Sequence, residues 1–312
     1  LLSVFLTILP VFLVLGAGYL IGRLNYLPNN IADSLNAYAV KFAVPVLLFM
    51  AMYRLNLAQA FHFGMLFSFY AGAVFCFIAG IILARIIWKR RPGEAVAVGF
   101  CAVFSNTVLI GLPIAQLAFG ESILTQVFGI IALHASLLYT LGMTSMEFAR
   151  QDSRGLGDTL KAAFFSVIAN PLMAGIILGF LMNLSGLKLL PQLEQALEMI
   201  RVSAIPVALI GIGIALNRYK ISTKIPETLM VTILALGFHP AIAFALSHYV
   251  LGLEIIFVQA AVLLAAMPPG MNIYIFANLY NRALGLSASV LVITNFISIF
   301  TIPLWLILIK QL

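Results

Sequence analysis

Asn106-Thr107-Val108-Leu109-Ile110-Gly111-Leu112-Pro113 and Pro268-Pro269-Gly270-Met271-Asn272 each fall near the middle of a long apolar stretch. Both put helix-breaking residues where a membrane-spanning helix would run deepest. A helix interrupted inside a bilayer frees N–H and C=O groups that lipid does not satisfy, so the break must face protein or a water-filled cavity. Two such breaks in corresponding halves are the sequence mark of a transporter's binding site.

The rest of the chain fits that setting. Of 312 residues, 63% are hydrophobic and 9% charged, against roughly 45–50% and about 25% in soluble domains. This is the composition of an integral membrane protein. All ten Asp and Glu fall at expected helix ends or in loops, away from the bilayer centre, where each would cost about 2.5–3.5 kcal/mol. The net charge of +7 reads as the positive-inside rule, and no basic, aromatic-interleaved domain is present to bind nucleic acid. Cys76 and Cys101 lie in apolar segments and read as packing residues, with no disulfide framework, metal site or cofactor implied. The first segment lacks a basic leader and an A-x-A-like cleavage site, and reads as a span rather than a signal peptide.

Ten spans are expected, at 2–22, 34–53, 63–88, 95–118, 122–148, 160–183, 194–216, 226–250, 255–279 and 286–310. Each offers the roughly 20 residues that cross the hydrocarbon core. Lys and Arg divide between the two sides as twelve against three, with Lys41 and Arg201 inside spans. That places both termini outside and the 150–159 linker in the cytoplasm. At an offset of 161 positions Pro10 meets Pro171, Gly18 meets Gly179, Pro45 meets Pro206 and Thr107 meets Pro268. A five-helix unit crosses the membrane an odd number of times, so its second copy enters from the opposite face. The expected fold is all-α: an inverted repeat of five plus five helices, 1–149 and 160–312, whose broken fourth and ninth helices cross at mid-membrane.

The breaks offer defined chemistry. Proline lacks an N–H and clashes with the carbonyl four residues back, so Pro268 and Pro269 release the carbonyls of Leu264 and Ala265, and Pro113 that of Leu109. Gly111 and Gly270 permit a bend and a close approach. A new half-helix follows each break, with unpaired N–H groups at its positive end. Two such ends meeting would hold an anion without a buried formal charge, and Asn106 adds side-chain donors at the same depth. Lys41 and Arg201 precede the kink prolines Pro45 and Pro206. They would either attract a carboxylate or snorkel to the interfaces. His134 and His239 are the titratable groups within spans, candidates for proton coupling or hydrogen-bonded packing residues. Gly18 with Gly22, and Gly175 with Gly179, read as close-packing pairs.

Phe42-Ala43-Val44-Pro45, Asn106-Thr107 with Gly111-x-Pro113, and Ala266-Met267-Pro268-Pro269-Gly270 followed by Phe276-Ala277 and Tyr280-Asn281 together resemble the auxin efflux carrier family. That family includes plant PIN-type carriers and bacterial organic-acid transporters such as malonate carriers. The resemblance covers essentially the whole chain. It implies a ten-helix fold shared with bile-acid sodium symporters, with scaffold helices 1, 2, 6 and 7 that often dimerise and transport helices 3–5 and 8–10. It implies that Asn106 contacts a substrate carboxylate, that Pro113 and Pro268–Gly270 shape the crossing, and that Val46 and Met271 line the pocket. Thr107 and Asn272 belong to the same candidate set. Asn170-Pro171 opens the sixth helix as the family's Asn-Pro does, with Leu172 where plant carriers tend to have a second Asn. The short central linker resembles the bacterial members.

The sequence therefore reads as a secondary transporter of the cytoplasmic (inner) membrane that moves a small organic anion by alternating access, elevator-like. One rival is a sodium-coupled symporter of the bile-acid type, and another is a passive channel or non-transporting receptor. No Ser/His/Asp constellation, paired carboxylates or H-E-x-x-H motif supports an enzyme.

Overall fold

A computed structural model describes residues 2–28, 30–150, 170–218 and 225–312. Among them are helices and connections but no strand, apart from one isolated antiparallel bridge between Ser105 and Pro269. The helices are α1 (Leu2–Arg23), α2 (Ile31–Tyr53), α3 (Phe63–Ile86), α4 (Pro92–Cys101), α5 (Thr107–Phe119), α6 (Leu124–Arg150) and α7 (Pro171–Ser185). They continue with α8 (Pro191–Leu216), α9 (Ile225–Val250), α10 (Ile255–Ala265), α11 (Asn272–Tyr280) and α12 (Leu284–Lys310). Seven of these stretches are long and apolar enough to cross a membrane, and shorter apolar helices accompany them. The protein is an integral membrane protein. The expected 150–159 linker and the start of the sixth span lie outside the described residues.

The lipid setting is visible in which side chains face outward. Along α12, Ser287, Ser289, Thr294, Asn295 and Ser298 are buried while Phe296, Phe300 and Leu304 are exposed. In water that arrangement would be inside out. In a bilayer the polar groups turn inward and bond to carbonyls of their own helix: Thr294 to Val290 at 2.6 Å, Ser289 to Gly285 at 2.8 Å and Asn295 to Leu291 at 2.7 Å.

Proline leaves a repeated signature. π-turns at Ala39–Ala43, Thr107–Gly111 and Leu234–Phe238 each end two residues before a proline, namely Pro45, Pro113 and Pro240. The wider turn shifts the hydrogen bonding to residues five apart, which absorbs the missing N–H and the ring clash without ending the helix. This corrects one expectation. Pro113 does not form the break; the chain leaves helical geometry at 102–106, and Pro113 lies inside the second half-helix.

The helices gather into two compact units. Residues 2–8, 61–150 and 225–312 form one, and residues 9–60 and 170–218 the other. The second unit is packed through glycine. A Cβ on Gly175 would overlap the carbonyl of Pro45, one on Gly213 that of Leu15, and one on Gly18 that of Ile210. These helices therefore approach backbone to backbone, as small-residue contacts allow. Asn183 Nδ2 closes the end of α2 by lying 3.0, 2.8 and 2.9 Å from the carbonyls of Met52, Tyr53 and Leu55.

Candidate functional site

Within the first unit the two breaks meet. After α4 ends at Cys101 the chain extends through Ser105, and after α10 ends at Ala265 it extends through Pro269. The two extended pieces run antiparallel and exchange two hydrogen bonds. Asn106 N–H donates to Pro268 O at 2.8 Å, and Gly270 N–H donates to Phe104 O at 3.0 Å. Backbone groups freed by one break are thus partly satisfied by the other, as the membrane interior demands. α5 and α11 start immediately beyond the crossing, so both half-helix N-termini originate at one place.

Side chains at the crossing are fixed from several directions. Asn106 caps α5, its Oδ1 accepting from Leu109 N–H at 3.2 Å, which satisfies one of the donors a helix start leaves open. A Cβ on Gly270 would lie 3.3 Å from Asn106 Cβ, so glycine lets the two chains touch there. A Cβ on Gly111 would meet Leu264 Cδ2 at 2.7 Å, so glycine also seats α5 against α10. Thr107 is buried, whereas Asn106, Met271 and Asn272 are partly exposed.

α6 supports both halves of the crossing. His134 Nε2 lies 3.0 Å from Ser105 O. A carbonyl only accepts, so Nε2 carries the proton. Five residues on, Tyr139 donates its hydroxyl to Asn272 Oδ1 at 3.1 Å. The Phe104 ring packs edge-on against both, 4.9 Å from His134 and 5.3 Å from Tyr139. Phe100 stacks on Phe276 at 3.9 Å, joining the two broken paths by a contact worth about 0.5–1.5 kcal/mol beyond its buried area. His239 is also buried, its Nε2 3.1 Å from Phe69 O, and Phe69 touches both histidine rings. Both imidazoles are buried and hydrogen-bonded through Nε2 to a backbone carbonyl. Their Nδ1 atoms are buried and have no partner among the described residues.

Of the residues singled out from sequence, Asn106, Thr107, Gly111, Pro113, Pro268, Pro269, Gly270, Met271 and Asn272 come together at or beside this crossing. Val46, Arg201 and Asn170 belong to the second unit. There Asn170 caps α7 through Leu172 N–H at 3.0 Å. Arg201 pairs with Glu198, its Nε 2.9 Å from both carboxylate oxygens. Sequence reasoning missed Tyr139 and the backbone roles of Phe104 and Ser105. A tyrosine five positions from a histidine in an apolar segment was the available signal.

Comparison with known proteins bears on what such a crossing serves. A family model described as "Membrane transport protein", that of the auxin efflux carriers, matches residues 3–306. The chain belongs to that family. A protein of Rhizobium meliloti (strain 1021) named "Putative malonate transporter" is 24% identical over 309 residues, covering 97% of this chain and 95% of its own length. An "Uncharacterized transporter" of Methanothermobacter thermautotrophicus is 26% identical over 303 residues, 96% of each chain. Membership of this family, together with the apolar helices, points to a transporter rather than an enzyme, with a small-molecule substrate and a lipid surround.

Proposed function

We propose that the protein is a secondary transporter for a small organic anion, a dicarboxylate such as malonate or an auxin-like acid, with the crossing as its site. The observation that carries this is the pair of backbone hydrogen bonds joining Asn106 to Pro268 and Gly270 to Phe104. They put two half-helix N-termini and the side chains of Asn106 and Asn272 in one place, with no acidic group among these residues. Each N-terminus carries roughly half a positive charge, so two offset about one carboxylate. Thr107, Gly111, Pro113, Pro268, Pro269, Gly270 and Met271 shape the cradle; Val46, Asn170 and Arg201, the other substrate-contact candidates from the sequence, lie in the second unit.

The wider mechanism is alternating access within an inverted five-plus-five repeat of the inner membrane, both termini outside. Of the ten expected spans, the third to fifth and the eighth to tenth move, elevator-like, against a scaffold of the first, second, sixth and seventh, which pairs as a homodimer. The division of the helices into two compact units supports this reading, as does the 24% identity to a protein named for malonate transport. His134 and His239 remain the candidates for proton coupling.

The test is counterflow in proteoliposomes with labelled malonate and labelled indole acetate, with and without pH and sodium gradients. Saturable counterflow of either acid is expected, with loss in Asn106→Asp, which keeps the cap oxygen but replaces the amide donors with a repelling carboxylate. Silence for both acids, or an Asn106→Asp protein that transports normally, refutes the assignment.

A further inference from the structure

We propose that Tyr139 is a positioning residue that makes the asparagine side chains at the crossing act as donors only. By holding Asn272 Oδ1 it leaves only the Asn272 amide N–H groups to face a ligand. The inference rests on the anion site proposed above and deepens it, since it says which functional group the site accepts and which it rejects.

Two asparagines stand at the crossing, and an asparagine offers both an acceptor and donors. Each has its oxygen already engaged. Asn106 Oδ1 accepts from Leu109 N–H at 3.2 Å, and Asn272 Oδ1 accepts from the Tyr139 hydroxyl at 3.1 Å. Neither Nδ2 donates to a protein acceptor among the described residues, and both side chains are partly exposed. The Tyr139 ring is held between Phe100, at 5.7 Å, and Phe104, at 5.3 Å. Packing therefore aims the hydroxyl before any ligand arrives. With the Asn272 amide turned over, the Tyr139 O–H would lose that acceptor and an oxygen would face the ligand. The favoured state presents two NH₂ groups beside helix starts that also only donate.

A carboxylate only accepts, so it satisfies every group in such a site. A carboxamide of the same size brings two N–H donors, and both asparagine oxygens are already engaged. Leaving buried polar groups unpaired is the strong form of discrimination between near-isosteres. Loss of charge accounts for part of any preference for the acid. The part that depends on Asn272 orientation disappears when Tyr139 releases it.

The experiment compares affinities of purified wild type and Tyr139→Phe for two acid–amide pairs, malonate with malonamide and indole acetate with indole acetamide. Phenylalanine keeps the ring contacts, and an unchanged melting temperature checks that it does. In the variant, affinity for the bound acid should fall about tenfold, the scale of one hydrogen bond supporting a charged ligand. The acid-over-amide preference should fall by at least as much, because the freed Asn272 turns its oxygen to the amide. An unchanged preference, or equal losses for acid and amide, overturns the role of Tyr139 while leaving the anion site in place. Failure of wild type to bind either acid overturns the anion site and this inference with it.

Discussion

Glu227 is a fully buried carboxylate of the first unit, and its partner sets up a double-mutant test. The side chain has 0% exposure, and Arg90, at 11%, meets it with a fork: Nε to Oε1 at 2.9 Å and Nη2 to Oε2 at 2.6 Å. Glu94 lies 3.7 Å from the same guanidinium. The hydrogen-bonded Glu227 carboxylate holds the Arg90 pKa above the usual guanidinium value. A raised pKa on a basic group means its contribution is complete below the unfolded value and fades only as pH climbs through the folded one. Raising the pH from 7 to 10 should therefore not erode the pair. Arg90→Met strands a buried negative charge and should cost about 3–5 kcal/mol. Glu227→Met strands a cation that still reaches Glu94 and water, so about 1–3 kcal/mol is expected. The double Met variant removes both desolvated charges and should sit near wild type, because replacing a whole buried pair by apolar groups is often neutral or stabilising. The singles thus sum to about 4–8 kcal/mol while the double lies near zero, an interaction term of about 4 kcal/mol or more. Thermal and denaturant unfolding of the four purified proteins in detergent reads it. A double variant as unstable as the sum of the singles, or Glu227→Met worse than Arg90→Met, refutes the reasoning.

Two further outcomes follow from the same geometry. His134→Leu removes a donor from Ser105 O, which keeps its 2.9 Å bond from Thr107 N–H, so stability should change little. Binding of the transported acid should weaken roughly fivefold, about 1 kcal/mol, and His134→Gln should restore it; titration of purified protein checks both. Gly175→Ala should lower the melting temperature, the expected cost being about 1–3 kcal/mol of overpacking, because its Cβ would overlap the Pro45 carbonyl. Gly16→Ala, with nothing within 4 Å, is the control that should not.

The pair Arg90 and Glu227 also marks the limit of what the sequence discloses. Its residues are 137 positions apart, and each alone reads as an interfacial charge on a helix flank. The same holds for Tyr139 and Asn272, 133 positions apart. The breaks themselves were legible because proline, glycine and asparagine act locally: Asn106 at a helix start and Gly270 at a close approach need no distant information. Asn106 shows the limit from the other side. From sequence it reads as a donor to a substrate carboxylate, yet its Oδ1 caps α5, so alanine there also removes about 1 kcal/mol of helix stability.

Long-range partners stayed hidden for a physical reason. In a soluble helix, the alternation of apolar and polar residues fixes which face turns inward. Lipid removes that constraint, since an apolar residue is at home on either side. Most of α3 and α10 is apolar all round, and nothing in such a run says how the helix is rotated. Rotation is marked only by sparse polar residues, as on α12, where Ser287, Thr294, Asn295 and Ser298 share the buried side. α6 carries the same kind of mark in Gln126 and His134, both buried. Tyr139 belongs with them. A polar-tipped ring inside a membrane segment must find an acceptor, and Asn272 Oδ1, at the start of the second half-helix, is the one that Tyr139 finds.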